Sequence, residues 1–224
     1  MNARTLAPLA LLLAAGCGAD NFASIQFFQI CFPPAPDTTS GNCIYPAKCE
    51  NSLLGRPIVD VPLAFTLELP IQLNNQLPNN ADTSGGTGRL NTNDAHVEKY
   101  TMTYSVPGVA LPGSVSLTND TVPAAGATVV LVEVLPNTTM TQLSAVAPAA
   151  VTTIVAEVVA SGRYDNGNTF ETGPYRIALD ICSGCLGFPV TNICTGTTTL
   201  KGACPGSAVV GGAVVSLPIN ASCQ

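Results

Sequence analysis

An Asn-Gly pair between two β-rich segments restricts the fold of this chain more than any other local pattern. The tetrapeptide Asp165-Asn166-Gly167-Asn168 separates residues 151–164 from residues 169–182, and both flanks are rich in β-branched and aromatic residues. Asn and Gly tolerate the positive φ angles that a tight turn between antiparallel strands requires. The pattern therefore predicts a β-hairpin over residues 151–182.

Residues 97–106 show the alternation of a half-buried strand. One predicted face consists of Val97, Lys99, Thr101, Thr103 and Ser105. The other face is mostly core-like and consists of Glu98, Tyr100, Met102, Tyr104 and Val106. We expect the second face to be buried.

Three further segments have strand-like composition. Residues 58–73 are interrupted by Pro62 and Pro70, which favours an edge or bulged strand because proline donates no backbone hydrogen bond. Residues 115–118 and 127–135 flank a turn signal at Pro123 and Gly126. The apolar run 128–132 in the later segment is typical of a strand covered on both faces.

Seven or eight short strands separated by turn signals predict an all-β fold, an antiparallel β-sandwich of the immunoglobulin-like type rather than a closed barrel. The Trp of an immunoglobulin core is absent. The Ala-rich stretch 135–150 predicts one short helix crossing between the sheets. The apolar stretch 143–160 is not expected to span a membrane, because Pro148, Glu157 and a β-branched run indicate a loop followed by a buried strand.

The first seventeen residues predict export. Arg4 precedes an apolar run over residues 6–15, and the run ends in Ala14-Ala15-Gly16-Cys17. The cysteine after small residues resembles the lipobox of bacterial lipoproteins, which implies cleavage before Cys17 and acylation of its sulfur. The other interpretation is an ordinary secretory signal with a cysteine nearby. The expected organisation is a signal peptide over 1–16, a lipidated N-terminus and short tether over 17–30, and one sandwich domain over 31–224.

The remaining cysteines are even in number, as full disulfide pairing in an exported protein requires. Three lie before residue 50 and five after residue 181, so complete pairing needs at least one bridge between the groups. The disulfide candidates are Cys31, Cys43, Cys49, Cys182, Cys185, Cys194, Cys204 and Cys223. The last group lies in a loop-rich, cysteine-containing C-terminal segment over 182–223, and two other uses remain open for Cys182, Cys185, Cys194 and Cys204. They are a four-thiolate zinc site and a redox Cys-x-x-Cys pair.

The charge balance excludes one class of partner. The chain has a formal net charge of −6 and no basic cluster. Nucleic acids and anionic lipid headgroups are recognised mainly through Lys and Arg. We expect no nucleic-acid partner, and membrane contact through the N-terminal lipid alone.

No catalytic residue, cofactor or metal site is predicted from motifs. The single histidine, His96, has Asp94 nearby in sequence but no recognisable nucleophile motif, and a surface histidine is the favoured interpretation. The polar stretch 74–95 is long enough to be a binding loop. Its binding candidates are Asp82, Asn91, Asn93 and Asp94, whose oxygens would also suit calcium, although no EF-hand spacing is present.

Three features together resemble a known group of proteins. They are the lipobox, the turn 122–126 before a Val-rich strand ending in Leu135-Pro136, and the segment 180–186 with its Cys-x-x-Cys. The chain is similar to uncharacterised predicted lipoproteins of myxobacteria and their relatives over most of residues 95–186. The resemblance implies an exported lipoprotein with a β-domain and carries no activity. Gly18 after the acylated cysteine favours the outer membrane.

Two functions are compatible with these observations. The favoured one is a non-enzymatic structural or binding module that is anchored in the envelope. Its partner is expected to be an envelope protein, a glycan or a second copy. The alternative is a carboxylate-dependent hydrolase acting on envelope or extracellular glycans, since two acids perform that chemistry without histidine.

Overall fold

The computed structural model describes residues 24–32, 45–53, 55–61, 66–80, 92–146 and 151–183, together with the backbone of 208–210 and 213–215. The predicted signal peptide 1–16 and Cys17 lie outside the described residues. So do Cys43, Cys185, Cys194, Cys204 and Cys223.

The described residues form eleven strands and one helix. The strands are β1 (Ile25–Ile30), β2 (Ile58–Asp60), β3 (Leu67–Asn75), β4 (Ala95–Ser105), β5 (Ser114–Val122), β6 (Ala127–Leu135), β7 (Thr152–Tyr164), β8 (Thr169–Glu171), β9 (Tyr175–Cys182), β10 (Ala208–Val210) and β11 (Ala213–Val215). The helix α1 (Asn137–Val146) lies between β6 and β7.

The strands form an all-β sandwich of two packed sheets. The first sheet has the order β1-β3-β6, and the second has the order β2-β9-β7-β4-β5 with β8 added to β7. Only the short β2–β9 contact is parallel among these pairs. Buried aliphatic side chains from both sheets form one core. Strands β10 and β11 pair with each other in a separate hairpin.

The connectivity is immunoglobulin-like, as predicted. In that fold strands B and E pair in one sheet, and strands C, F and G are neighbours in the other. Here β3 and β6 correspond to B and E, and β4, β7 and β9 correspond to C, F and G. Tyr100 on β4, the largest fully buried side chain, occupies the strand on which immunoglobulin domains place their core Trp.

Polar side chains also connect the sheets, and Tyr104 and Asn75 are two examples. Tyr104 on β4 donates its hydroxyl to the Val134 carbonyl on β6 at 2.9 Å. Asn75 at the end of β3 is 3% exposed, and its amide donates to the Val122 carbonyl on β5 at 3.1 Å. Because both groups are paired, the core contains these polar atoms without the cost of an unsatisfied hydrogen bond.

The predicted hairpin and helix are confirmed. Gly167 has a φ of 85°, and the Tyr164 N–H donates to the Asn168 carbonyl to close the turn between β7 and β8. Helix α1 lies within the predicted stretch 135–150 and buries Met140 and Leu143. No helix among the described residues is long and apolar enough to cross a membrane.

The predicted faces of β4 were partly wrong because the strand contains a bulge. The pairing register shifts between Val97 and Lys99 against both neighbouring strands. Ala95 and Val97 are buried, Glu98 and Lys99 are both exposed, and burial resumes at Tyr100. An extra residue reverses the direction of the side chains that follow it. Val97 therefore belongs to the core, and Glu98 does not.

Pro70 occupies a central strand, whereas an edge or bulged strand was expected; the pairings of this strand with both neighbours contain register shifts. Only β2 from the predicted segment 58–73 is an edge strand, while Pro70 lies in β3 between β1 and β6. The Pro70 carbonyl accepts a hydrogen bond from the Cys31 N–H at 2.8 Å. Backbone groups of one strand residue point to the same side, so the missing N–H of Pro70 faces the point where β1 ends. The β6 pairing loses no donor there.

The prediction that the run 128–132 is covered on both faces was also wrong. Strand β6 forms the edge of the first sheet, and burial alternates along it. Val130 and Val132 are buried, whereas Leu131 is 38% exposed. An apolar run does not by itself distinguish a central strand from an edge strand with one apolar outer face.

The outer face of the first sheet is covered by the chain segment 45–53. A disulfide joins Cys31, just after β1, to Cys49 in this segment. The Cys49 N–H donates to the side-chain oxygen of Gln72 on β3 at 2.9 Å. Residues of both faces of β3 are consequently buried, among them Pro70 and Gln72.

Candidate binding surface

Three connections meet at one end of the sandwich, which we call the loop end. They are the β3–β4 connection (76–94), the β5–β6 turn (123–126) and the β7–β8 turn (165–168). Asn166 and Asp165 donate their N–H groups to the carbonyls of Thr92 and Asp94, each at 3.1 Å. The Ala125 N–H donates to the Leu77 carbonyl at 2.6 Å. Backbone hydrogen bonds therefore hold the three connections together.

Asparagine side chains organise the base of the β3–β4 connection. The Asn80 amide donates to the Thr92 hydroxyl at 2.9 Å, and its oxygen accepts from the Thr92 N–H at the same distance. The buried Asn75 amide donates to the Asn93 carbonyl at 2.8 Å. The bonds between Asn80 and Thr92 bring these two residues together. Asp82 and Asn91, two of the predicted binding residues, lie outside the described residues.

Asn93 and Asp94, the other two predicted binding residues, use their side chains within the protein. The Asn93 amide donates to the Pro78 carbonyl at 2.8 Å. The Asp94 carboxylate accepts from the Ala124 N–H at 2.7 Å and so ties the β3–β4 connection to the β5–β6 turn. These contacts assign both residues a positioning role at the loop end.

His96 lies at the surface next to this end and has a carboxylate neighbour that the sequence did not indicate. Its Nε2 is 2.7 Å from Asp165 Oδ1, and its Nδ1 is 3.2 Å from Thr121 Oγ1. Asp165, which supplies this contact, is 69 residues away, whereas Asp94 faces Ala124. The two contacts fix the orientation of the ring.

The order of carboxylate, imidazole and hydroxyl is shared with hydrolase triads, but a triad also needs oxyanion donors and a bound substrate beside the hydroxyl. Thr121 lies on the exposed side of β5, an edge strand of the second sheet. His96 and Asp165 are themselves 37% and 39% exposed. This geometry favours a surface hydrogen-bond network that stiffens the loop end.

Disulfide bonding is confirmed for three of the candidate cysteines. Cys31 and Cys49 form a disulfide with each other, and Cys182 is also disulfide-bonded. A sulfur in a disulfide is not at the same time a thiolate ligand, which weighs against Cys182 as part of a zinc site. Among the described residues, no three His, Cys, Asp or Glu side chains are grouped as metal ligands.

Comparison with known proteins adds no relative. No protein family matches the chain, and no curated protein matches it.

Proposed function

We propose that this protein is an exported envelope lipoprotein, anchored through Cys17, that acts as a non-enzymatic binding module. The observation that carries the proposal is the convergence of three connections at the loop end. Immunoglobulin-like variable domains bind through loops at one end of the sandwich, the B–C and F–G loops among them, and the β3–β4 and β7–β8 connections are the counterparts of these two. A rigid scaffold that presents loops held by hydrogen bonds loses little entropy on binding.

The chemistry of the loop end favours a polar partner. Asn79, Asn166 and Asn168 are exposed there, and the turns between them are rich in amide and hydroxyl groups. Amides and hydroxyls donate and accept hydrogen bonds without a net charge. Sugars and polar protein surfaces offer matching groups, so the expected partner is an envelope glycan or an envelope protein.

The position of the N-terminus limits where this partner lies. Strand β1 begins at the loop end, where Ile25 pairs with Asn75, and the Ser24 carbonyl accepts from the Gln76 N–H at 2.7 Å. Seven residues from Cys17 to Ser24 reach at most about 25 Å when fully extended. With Cys17 acylated, the loop end is held close to the bilayer, so the proposed partner is membrane-bound or lies at the membrane surface.

Site-specific photocrosslinking in the producing cells tests the loop end. A photoreactive phenylalanine analogue replaces Asn168 at the loop end and, in a matched control, Asn119, which is exposed in the middle of β5. We expect a discrete adduct of the membrane fraction at position 168 and none at position 119. The same adducts at both positions, or none at position 168, would contradict the proposal.

The anchor is tested separately by intact mass spectrometry of the native protein, with and without reduction. The expected polypeptide begins at an acylated Cys17 and gains eight hydrogens on reduction, because eight other cysteines are available for four disulfides. Cleavage at another position would contradict the anchor at Cys17. It would not affect the proposal for the loop end, which the crosslinking experiment tests.

The alternative, a carboxylate-dependent hydrolase, has one specific observation in its favour. Glu68 on β3 is directly opposite Glu133 on β6. Burial, and secondly the charge of Glu133, raise the pKa of Glu68 above its ordinary value. Glycosidases use two nearby carboxyl groups, one of them with a raised pKa. Under this alternative, glycan hydrolysis by the wild-type chain is lost in both Glu68→Gln and Glu133→Gln.

A further inference from the structure

A cleft lies on the open side of the sandwich, between β1 of the first sheet and β9 of the second. Its volume is about 260 Å³. Phe28 and Ile30 line it from β1, Arg56 from the segment before β2, and Tyr175 and Arg176 from β9. The cleft is separate from the loop-end connections.

One wall of the cleft is the edge of β9. Strand β2 and Pro57 cover this edge only from Asp180 onward, where the Asp180 N–H donates to the Pro57 carbonyl at 2.9 Å. Backbone groups of alternate residues in a strand point to the same side, and β9 pairs with β7 without a register shift. The N–H and C=O groups of Arg176 and Ala178 therefore point toward the cleft.

The chain before β2 leaves this edge because it turns at Gly55, which has a φ of 112°. Two residues earlier, the Leu53 N–H donates to the Ile30 carbonyl at 2.8 Å, so the segment returns to β1 instead of continuing along β9. Among the residues that the structure describes, no strand lies beside the edge from Tyr175 to Leu179. Five strand residues span about 16 Å, enough for a short added strand.

Aromatic side chains stand at the same place. Phe28 is the residue at which the β1 register shifts against β3, and its side chain is 60% exposed. Bulges turn side chains away from the regular alternation and occur next to binding sites. Tyr175 stacks on Phe27 with ring centroids 5.3 Å apart, which fixes its ring at the cleft wall. Exposed aromatic residues beside arginine are typical of the strongest contacts in protein interfaces.

The charged side chains that line the cleft are both basic, and one of them, Arg56, is already paired with Asp180 at 3.3 Å. The lining residues of the cleft include two arginines and no acidic residue, although the chain carries a net charge of −6. Arg176 uses its Nε to contact Glu157 at 2.6 Å, and its side chain is 73% exposed. A guanidinium has five donors, so this contact leaves further donors for a second carboxylate.

We propose that the cleft binds an extended peptide segment of another protein as an added strand on β9. Backbone groups of the peptide pair with Arg176 and Ala178, an apolar side chain packs on Phe28, and an acidic side chain contacts Arg176. Main-chain pairing supplies affinity in this mode of recognition, and the side chains supply specificity. This inference is independent of the partner proposed at the loop end.

Amide hydrogen exchange of the full mature chain, followed by NMR, tests the pairing directly. The probe is the peptide acetyl-Thr-Val-Glu-Val-Thr-amide at millimolar concentration. We expect exchange at Arg176 and Ala178 to slow about tenfold or more when the peptide binds, because a free edge N–H becomes hydrogen-bonded. The same peptide with N-methylated backbone amides is expected to give no protection.

Two variants separate the contributions of the apolar contact and the ionic contact to the affinity for the peptide. Phe28→Ala is expected to lower the affinity for the peptide about tenfold, because it removes the apolar contact. Arg176→Gln is expected to abolish the preference for the Glu peptide over the same peptide with Lys, a preference of about fivefold at low salt. Absence of protection at Arg176 and Ala178, or protection that depends on protein concentration without peptide, would overturn the proposal. Protection that depends on protein concentration would indicate that the edge pairs with a second copy of this chain.

Discussion

The two sheets of the sandwich meet solvent in different ways. The outer face of the first sheet lies under the segment 45–53, which the Cys31–Cys49 disulfide holds in place. On the outer face of the second sheet, side chains such as Glu98 and Arg176 are exposed, and no segment among the described residues covers them. All four ion pairs found among the described residues involve the strands of this sheet or its flanking segments, as in Glu98–Arg163 and Glu157–Arg176. The stability of the first sheet therefore depends on the segment that covers it. The stability of the second sheet depends on backbone pairing and on contacts between side chains of neighbouring strands.

The largest effect is expected at Gly162, where a Cβ atom has no room beside the neighbouring strand. Gly162 on β7 pairs with Val97 at the β4 bulge, and a Cβ atom at Gly162 would overlap the His96 carbonyl oxygen. We expect Gly162→Ala to lower the free energy of unfolding by about 4 kcal/mol, since backbone must move to accept it. Urea denaturation under non-reducing conditions measures the change.

Gly173 provides the matched control for that substitution. A Cβ atom there would meet no heavy atom within 4 Å, so Gly173→Ala is expected to change stability by less than about 0.5 kcal/mol. Equal losses of unfolding free energy in Gly162→Ala and Gly173→Ala would show that the close approach at the bulge does not account for the effect of the first substitution.

The second prediction concerns the cover of the first sheet. Replacing both Cys31 and Cys49 with Ala removes a disulfide that closes a separation of 18 residues. The expected loss is about 3 kcal/mol, from the greater entropy of the unfolded chain. Hydrogen exchange should accelerate in β1 and β3 more than in β4 and β7. Acceleration centred on β4 and β7 would contradict the division between a covered sheet and an open one.

The smallest effect tests the electrostatic cost of covering the first sheet. Burial and Glu133 raise the pKa of Glu68, so the folded state binds the Glu68 proton more tightly than the unfolded state does. The contribution of Glu68 to the free energy of unfolding must then fall as pH rises through the range that begins at the ordinary value of 4.5. Glu68→Gln is expected to remove this fall and to stabilise the protein by about 0.5 kcal/mol at pH 7.

Glu98→Gln on the open second sheet is the comparison variant. Glu98 pairs with Arg163, and the two side chains are 48% and 63% exposed. Exposed pairs contribute little, so a loss of no more than about 0.5 kcal/mol is expected. If Glu98→Gln is more stable than the wild type, or Glu68→Gln is less stable at neutral pH, then Glu98 rather than Glu68 is the unfavourable carboxylate. Unfolding curves between pH 4 and pH 8 distinguish these outcomes.

Local signals were sufficient for the parts of the fold that local chemistry determines. The turn at Asn166-Gly167 was predictable because these residue types mark tight turns, and Gly167 has the positive φ that Gly adopts readily. Helix α1 and the turn before β6 followed from composition over short stretches. The immunoglobulin-like class followed from the number and spacing of strands. The chain has no Trp, and Tyr100 lies on the strand where immunoglobulin domains place their core Trp.

Other features depend on residues far apart in the chain, and sequence patterns did not reveal them. The bulge at Glu98 appears only when β4 is paired with β5 and β7. Pro70 is tolerated in a central strand because β1 ends beside it. At the candidate site, the polar β3–β4 connection was recognised from composition. The contact of His96 with Asp165, and the role of Asn75 in tying the strands together, required the fold.

The two ends of the sandwich also determine how the domain responds to mechanical load. The chain enters at Ser24 at the loop end and reaches Cys182 at the opposite end of β9. Tension applied between these two residues runs along β1 and β9, almost perpendicular to the hydrogen bonds that join them to β3 and β7. Such bonds must rupture together rather than one after another. The fold is therefore oriented to resist extension along its long axis, with the three-residue contact between β2 and β9 as an additional shear point.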